Sequence, residues 1–332
     1  MKIWAVALAA LSTVIICTGA ASAKRAPVRV AAVINALDNP FFVAMFEGIT
    51  SQAQQLGARA TVRAATSNAD LAGQAALLRA AVAHGSDCYV VNPITATNLV
   101  GALRGVRRPI VNVDSPLDRS AAKRAGIRPR TYIGTNDFAA GRLAGRRMAS
   151  LLRGRGRVAL IGGLVENVNS GRRLRGFERG LRGTAVRVMA RTNANYRRTE
   201  AEVAAGRILR THPHLSGFFA ASDLMALGAA DAVRTAGRTG RITILGLDGI
   251  PEALDAIRAG TISGTVAQYP WVMGRMAVEA CVAAVRGAAL PRKVDAPIAL
   301  VTKANVRRAI AAVPRPFRPY SDPFKRILRK QH

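Results

Sequence analysis

The chain has 332 residues, half of them hydrophobic, and a formal net charge of +30. This apolar fraction excludes a disordered chain, and the length allows one large or two medium domains with real cores. From Ala304 to the end there are eight Lys or Arg against one Asp, so the segment 304–332 carries +7 and most of the charge lies on the body. The arginines are scattered and not interleaved with aromatics, which excludes nucleic acid as the expected partner. Attraction to an anionic membrane surface is the consequence that the charge does carry, in the form of peripheral contact.

Lys2, the apolar run Ile3–Ile16 and the ending Ala20-Ala21-Ser22-Ala23 have the form of a secretory signal. Residues 1–23 are expected to be cleaved after Ala23, leaving an exported protein of charge +29 once Lys2 is lost. Cys17 follows Val14-Ile15-Ile16, without the small residue that precedes a lipidated cysteine. No later segment reaches the roughly 18 apolar residues of a spanning helix. Cys88, in a strand-like run, and Cys281, in a helix-like run, are expected to be two small buried thiols. Pairing them needs a proximity that sequence does not carry.

Strand-like apolar runs alternate with helix-length segments. Val28–Ala36 reads as a strand and Phe41–Leu56 as a helix, with apolar Phe42, Met45, Phe46 and Ile49 on one face. Further strands are Ala60–Ala65, Asp87–Asn92 and Pro109–Asp114, with helices near 69–83 and 95–103. Thr131–Gly134 leads into a helix near 138–152. The pattern then restarts: Arg157–Gly162, a helix over 170–181, Ala185–Ala190, a helix near 199–210 and Gly217–Ala221. A helix at 224–235, Ile242–Leu247, a helix over 251–259 and Ile262–Gln268 follow. Continuous apolar strands separated by helices predict a doubly wound α/β fold with parallel sheets covered on both faces. Two such series predict two similar lobes. The proline-rich, basic run from Arg315 to His332 is expected to be a solvated, disordered tail, or one in which Phe324–Lys330 lies on an anionic surface.

Traces of catalysis are few: there is no Gly-x-Ser-x-Gly, no phosphate-loop motif and no zinc spacing. His212-Pro213-His214 cannot share a helix face across proline, so no metal is expected there, and no cofactor or enzymatic activity is expected of the chain. Polar and aromatic residues do gather just after strands, where open α/β sheets bind ligands. Phe41 and Phe42 sit in the first such loop, Asp114 ends one strand, Asp223 follows another and Asp248 ends a third. Aromatic rings suit the C–H faces of a sugar, and carboxylates, amides and guanidinium groups suit its hydroxyl rim. Each polar residue also fits a helix cap, the reading preferred for Asp223.

In this order and spacing, Asp38-Asn39-Pro40-Phe41-Phe42, Ser222-Asp223-Leu224-Met225-Ala226-Leu227-Gly228-Ala229, Asp248-Gly249-Ile250-Pro251-Glu252-Ala253 and Gly264-Thr265-Val266-Ala267-Gln268 resemble the ribose-binding branch of the periplasmic sugar-binding proteins. The similarity runs from about Val28 to Lys303. It implies two Rossmann-like lobes joined by a three-crossing hinge, the type I periplasmic binding protein fold. The lobes would be 24–134 plus 268–296, and 135–267 plus 297–303, with 304–332 a basic extension. The resemblance also implies a site of Asn39, Phe41, Phe42, Asp114, Arg173, Tyr196, Asp248 and Gln268, together with Ser115 and Ser222. Ser115 stands where an arginine would be expected and Ser222 where an asparagine would be, so ribose itself is not the implied ligand. The implied partners are a sugar or polyol and the membrane subunits of an ABC transporter, with the protein a monomer. A sensor presenting its ligand to a membrane receptor is the alternative. A sugar-responsive repressor would need a helix-turn-helix where the signal stands.

Overall fold

The computed structural model describes residues 26–331; the expected signal and its cleavage site lie outside the described residues. In chain order the first half reads β1 (Arg29–Ile34), α1 (Pro40–Gln55), β2 (Arg59–Ala64), α2 (Leu71–His84), β3 (Cys88–Val91), β4 (Ile110–Val113), α3 (Arg119–Arg124) and β5 (Thr131–Gly134). Next come α4 (Asp137–Leu151), β6 (Arg155–Gly162), α5 (Val168–Leu181), β7 (Ala185–Asn193), α6 (Arg198–Thr211), β8 (Gly217–Ala220) and α7 (Asp223–Thr235). The chain finishes with β9 (Thr243–Asp248), α8 (Pro251–Ala259), β10 (Gly264–Gln268), α9 (Pro270–Val285), β11 (Lys293–Asp295), β12 (Ile298–Val301), α10 (Val306–Ala312) and α11 (Pro323–Arg329).

Among the described residues the strands form two six-stranded sheets, ordered β11-β5-β4-β3-β1-β2 and β12-β10-β9-β8-β6-β7. The fold is the type I periplasmic binding protein architecture, a doubly wound α/β unit built twice. Each sheet repeats one winding, in which the first strand lies between the second and third, and the sixth strand is delivered by a chain that has crossed over. Pairing is parallel except between β10 and β12. The chain passes between the sheets after β5, after β10 and after β11. Helices start where the sequence supplies caps: Asn39 accepts from the Phe41 N–H before Pro40-led α1, and Asn136, Asn167 and Ser222 cap α4, α5 and α7. Because strands end and helices begin at these residues, the caps line the carboxyl edges of both sheets.

Several expectations are corrected. The helix expected near 95–103 is a series of turns with only a 3₁₀ turn at Gly101–Leu103. There Thr95 and Asn98 bond each other's backbone N–H, a local closure that competes with helix. Cys88 and Cys281 are not free thiols but a disulfide, joining β3 to α9 across a Cα–Cα distance of 5.6 Å. The tail from Arg315 is not disordered. After α10 packs on α8, it crosses back and α11 packs on α9, burying Phe324 and Leu328. The apolar face of Phe324–Lys330 is thus spent on the protein and is not free for a membrane surface. Asp223 is not the cap of α7; Ser222 takes that place.

Glu279 on α9 lies under the start of α11. Burial, then the neighbouring Asp322, push its carboxyl up to about 8, while Arg275 and Lys325 pull it down. The folded protein therefore keeps a proton that the unfolded chain, at its ordinary 4.5, releases. This stabilisation is complete below about pH 4.5 and is lost as pH rises through about 8. Urea titrations across that window should show Glu279→Gln losing less stability with rising pH than the parent, the difference approaching about 1.4 kcal/mol per unit. Identical slopes would assign the dependence to other groups.

Candidate functional site

The two carboxyl edges face each other across a narrow cavity of about 40 Å³, lined by Asn39, Phe41, Phe42, Asp114, Ser115, Arg173, Tyr196 and Asp248 among others. This is room for only a few waters. Of the ten residues singled out in the sequence, the other two stand behind the wall. Gln268 donates from Nε2 to Asp248 Oδ1 at 2.7 Å, and Ser222 is fully buried as the cap of α7.

The wall nearer the first sheet begins with Phe41 and Phe42, packed edge to face at 5.1 Å. Behind them Asn92 donates to Asp114 Oδ2 at 3.0 Å, and the Ser115 hydroxyl reaches the same oxygen at 3.5 Å. Asn112 holds the turn by donating to the Ser115 carbonyl and accepting from the Leu117 N–H. Burial raises the Asp114 carboxyl above its ordinary range, against the opposing pull of Arg173, Asn92 and Ser115.

Opposite, Arg173 projects from α5 with Nε and Nη1 of its guanidinium engaged. Nε donates to Asp137 at 2.7 Å, Nη1 to the Ala221 carbonyl at 2.9 Å, and Nη1 stands 3.5 Å from Asp248 Oδ1. Burial works against its charge, but Asp137 and Asp248 outweigh it and hold the group protonated above its ordinary range. Gly141 makes the Asp137 contact reachable, because a Cβ there would collide with the Arg173 backbone carbonyl and push α4 off α5. Burial drives Asp137 up to about 6 and Asp248 well above the ordinary carboxylate range, with Arg173 opposing both. Asp223 lies behind Asp248 and accepts from the Gly249 and Ile250 N–H groups and from Thr265, tying the segments after β8 and β9 to β10. Burial still takes it to about 6.

Asp114, Tyr196 and Asp248 all hold positive φ (55°, 61° and 140°), a costly backbone for residues with a Cβ that gathers here at one cavity. Across the gap, Asn167 donates to the Ile94 carbonyl and Asn169 to the Asp114 carbonyl, each at 3.3 Å, so the two halves already touch. The Tyr196 hydroxyl donates to Asn167 at 2.9 Å. Sequence reasoning missed Asp137, Asn167 and Asn169. The signal that flagged Asp114 also marks them, since each is a polar residue at a strand-to-helix junction. Buried Asn169 Oδ1, Asp137 Oδ2 and Gln268 Oε1 have no hydrogen-bond partner among the described residues. The cavity itself is lined by the carboxylates of Asp114 and Asp248, the Arg173 guanidinium and the amides of Asn35, Asn39, Asn68, Asn167 and Asn169, a mixture of acceptors and donors that complements a neutral molecule bearing several hydroxyls. Among the described residues no group of three or more His, Cys, Asp or Glu could hold a metal ion. His212 and His214 lie apart from the cavity, on the turn between α6 and β8.

Residues 30–289 match the model of the periplasmic binding protein domain family. The D-allose-binding periplasmic protein of Escherichia coli is 31% identical over 249 residues, 74% of this chain and 80% of that protein. The ribose import binding protein of Bacillus subtilis is 26% identical over 273 residues, 81% and 86% of the two chains. A solved ABC transporter solute binding protein of Actinobacillus succinogenes, with D-allose bound, superposes with a TM-score of 0.81 at 26% identity. It matches 85% of this chain and 99% of its own.

Gly163 supports the Tyr196 ring, and a Cβ at this position would run into it. Gly163→Ala should displace the ring, breaking its bond to Asn167, while the sheet stays intact. The expected readout is loss of the parent's ligand-induced rise in melting temperature, with little change in the unliganded melting temperature. A full ligand response would show that the ring is not needed.

Proposed function

Because the chain belongs to the periplasmic binding protein domain family, we propose that it captures a monosaccharide or related polyol between two lobes and delivers it to the membrane subunits of an ABC transporter. The observation that carries this reading is the pair of buried carboxylates, Asp114 and Asp248, on opposite walls, with Arg173 beside Asp248. A ring hydroxyl donates to a carboxylate and accepts from a guanidinium, so one polyol satisfies both kinds of group. Phe41 and Tyr196 supply faces for the C–H surface of the ring. The protein works as an exported monomer without chemistry of its own, its signal removed and its excess charge holding it near anionic envelope surfaces. Transport is preferred to sensing because the relatives include an import binding protein.

The lobes, 24–134 plus 268–296 and 135–267 plus 297–303, must part for entry, since the Asn167–Ile94 and Asn169–Asp114 contacts already join the two walls of the cavity. A ligand touching both walls favours closure by its differential affinity for that state. Small-angle scattering should show compaction on adding a ligand identified by thermal shift; an unchanged radius of gyration would count against a moving hinge.

Asp248→Asn keeps the shape of the site and removes one charged acceptor. Sugar affinity should fall by about ten- to a hundredfold, roughly 1.5–3 kcal/mol. Unaltered affinity by calorimetry would move the sugar elsewhere.

Ser115 is a short hydroxyl on the Asp114 wall, so the ligand is one bulkier than ribose. In a calorimetric panel of pentoses, hexoses and cyclic polyols, ribose should bind at least about tenfold more weakly than the preferred ligand. Ser115→Arg should narrow that gap. Ribose as the tightest ligand of the parent would overturn the size argument and leave sugar capture standing.

A further inference from the structure

Asp137 takes no part in lining the sugar cavity, yet it makes the shortest bond to Arg173, the one basic residue that does. It opens α4 directly after the cap Asn136, with its side chain only 1% exposed. The contact depends on how closely α4 lies on α5. Gly176 and Gly180 on α5, like Gly141 on α4, stand where a Cβ would run into the backbone of the other helix, here at the Phe138 and Arg142 carbonyls. Three glycines thus let the helices meet backbone to backbone and bring the first residue of α4 to the Arg173 Nε.

Two bonds to two separate elements fix a planar group. Nε is held by Asp137 on α4, and Nη1 by the Ala221 carbonyl after β8. The direction of Nη2 is then set, and Nη2 has no partner among the described residues. It is not sealed from solvent as Asp137 Oδ2 is, so it is the nitrogen left to a ligand.

The same contact decides what charge the cavity presents. Burial opposes the charge of Arg173, and Asp137 is the carboxylate that offsets this most, ahead of Asp248 and Asp114. Asp137 supplies its counter-charge from outside the cavity, while Asp114 and Asp248 stand in the walls. Nη2 can donate to a hydroxyl oxygen without any negative charge on the ligand. A ligand carboxylate meets a cation already neutralised and two wall carboxylates that repel it.

We propose that Asp137 is a positioning residue that also sets the charge of ligand the site accepts. From behind the wall it fixes the Arg173 guanidinium and cancels its charge, so that the cavity takes neutral polyols and refuses sugar acids. The inference rests on the reading of the cavity as a sugar site.

Asp137→Asn separates the two roles, since the amide oxygen accepts from Nε as the carboxylate does and the charge is gone. Its nitrogen takes the place of Oδ2, which has no partner to lose. The probes are D-glucose with D-glucuronate and D-galactose with D-galacturonate, measured by calorimetric competition against the preferred sugar. The Asn variant should bind the hexoses within about threefold of the parent, while the preference for hexose over uronate falls at least about tenfold. Asp137→Ala also loses the anchor, and hexose affinity should fall at least about tenfold; Asp137→Ser takes its place should it fail to fold. Glu178→Gln removes the same charge from the outer face of α5, where Glu178 pairs with Arg191, and should leave the preference unchanged. An unchanged preference in the Asn variant, parental hexose affinity in the Ala variant, or an equal change in Glu178→Gln would each overturn the proposal. The Nε–H proton resonance of Arg173, identified by its loss in Arg173→Lys, reads the positioning without any sugar. It should persist in the Asn variant and exchange into water in the Ala variant. Persistence in the Ala variant would overturn the positioning even where sugar binds. A parent that binds no sugar of the panel, with the resonance behaving as expected, would sink the sugar reading and leave the positioning standing.

Discussion

One guanidinium holds together an interior that carries four buried carboxylates. Burial disfavours charge on Asp114, Asp137, Asp223 and Asp248 alike, and each is raised from its ordinary range. They are not relieved in the same way. Asp137 has a direct bond to Arg173, Asp248 shares that cation and the Gln268 amide, Asp223 has two backbone N–H groups and Thr265, and Asp114 has Asn92. One cation opposes all four. Breaking the Arg173 contacts would leave uncompensated charge in a dry space, which costs more than the pair gains by forming. The cavity is therefore organised around several buried carboxylates and one cation, an arrangement that a hydroxyl-bearing ligand suits on both counts. A chain of net charge +30 draws anions to its surface, yet its interior site presents carboxylates and turns them away.

The two facing carboxylates are products of one winding used twice. Asp114 follows β4, the fourth strand of the first series, and Asp248 ends β9, the fourth strand of the second. Both have positive φ, 55° and 140°, so a strand-end kink, different in form at each, turns each carboxylate into the gap from its own side. A repeated α/β unit facing its copy thereby builds a clamp with matching chemistry on each jaw. Arg173 breaks the match, coming from α5 of the second series alone, and gives the pocket its single charged donor.

Much of this was legible because strand ends are local. Asp114 and Asp248 announce themselves as polar residues closing apolar runs, and Phe41-Phe42 as paired aromatics in a chain with few. Asp137, Asn167 and Asn169 carry the same positional signal. They were passed over because an Asp or Asn before a helix is also an ordinary cap, and Asn167 does cap α5 while forming part of the site. Ser222 shows the converse: placed among the ligand residues by resemblance, its hydroxyl is taken up by the Met225 N–H. The disulfide was illegible for another reason. Cys88 and Cys281 are 193 residues apart and meet only because α9 returns to cover the first sheet after the second has been built. The tail misled through its composition: charge and proline describe its exposed face, whereas Phe324 and Leu328 determine where it goes.

That tail changes the mechanics of the whole. Beyond the three passages between the sheets, the chain crosses once more, from α10 against α8 to α11 against α9. A change in the angle between α8 and α9 must therefore be absorbed between Val313 and Asp322, or else α11 must leave its seat. The connecting segment contains Pro314, Pro316 and Pro319, which limit its backbone freedom and make it a stiff link more than a slack one. Arg315 also sits 5.8 Å from the centre of the Trp271 ring, at the start of α9, adding a contact midway along the crossing. The anchorage at the far end rests on Phe324, Leu328 and the Glu279–Asp322 neighbourhood, where a raised carboxyl makes the seat sensitive to pH. Opening the sugar cavity is thus coupled to a surface element outside the matched family residues, and the work of opening includes the strength of that docking.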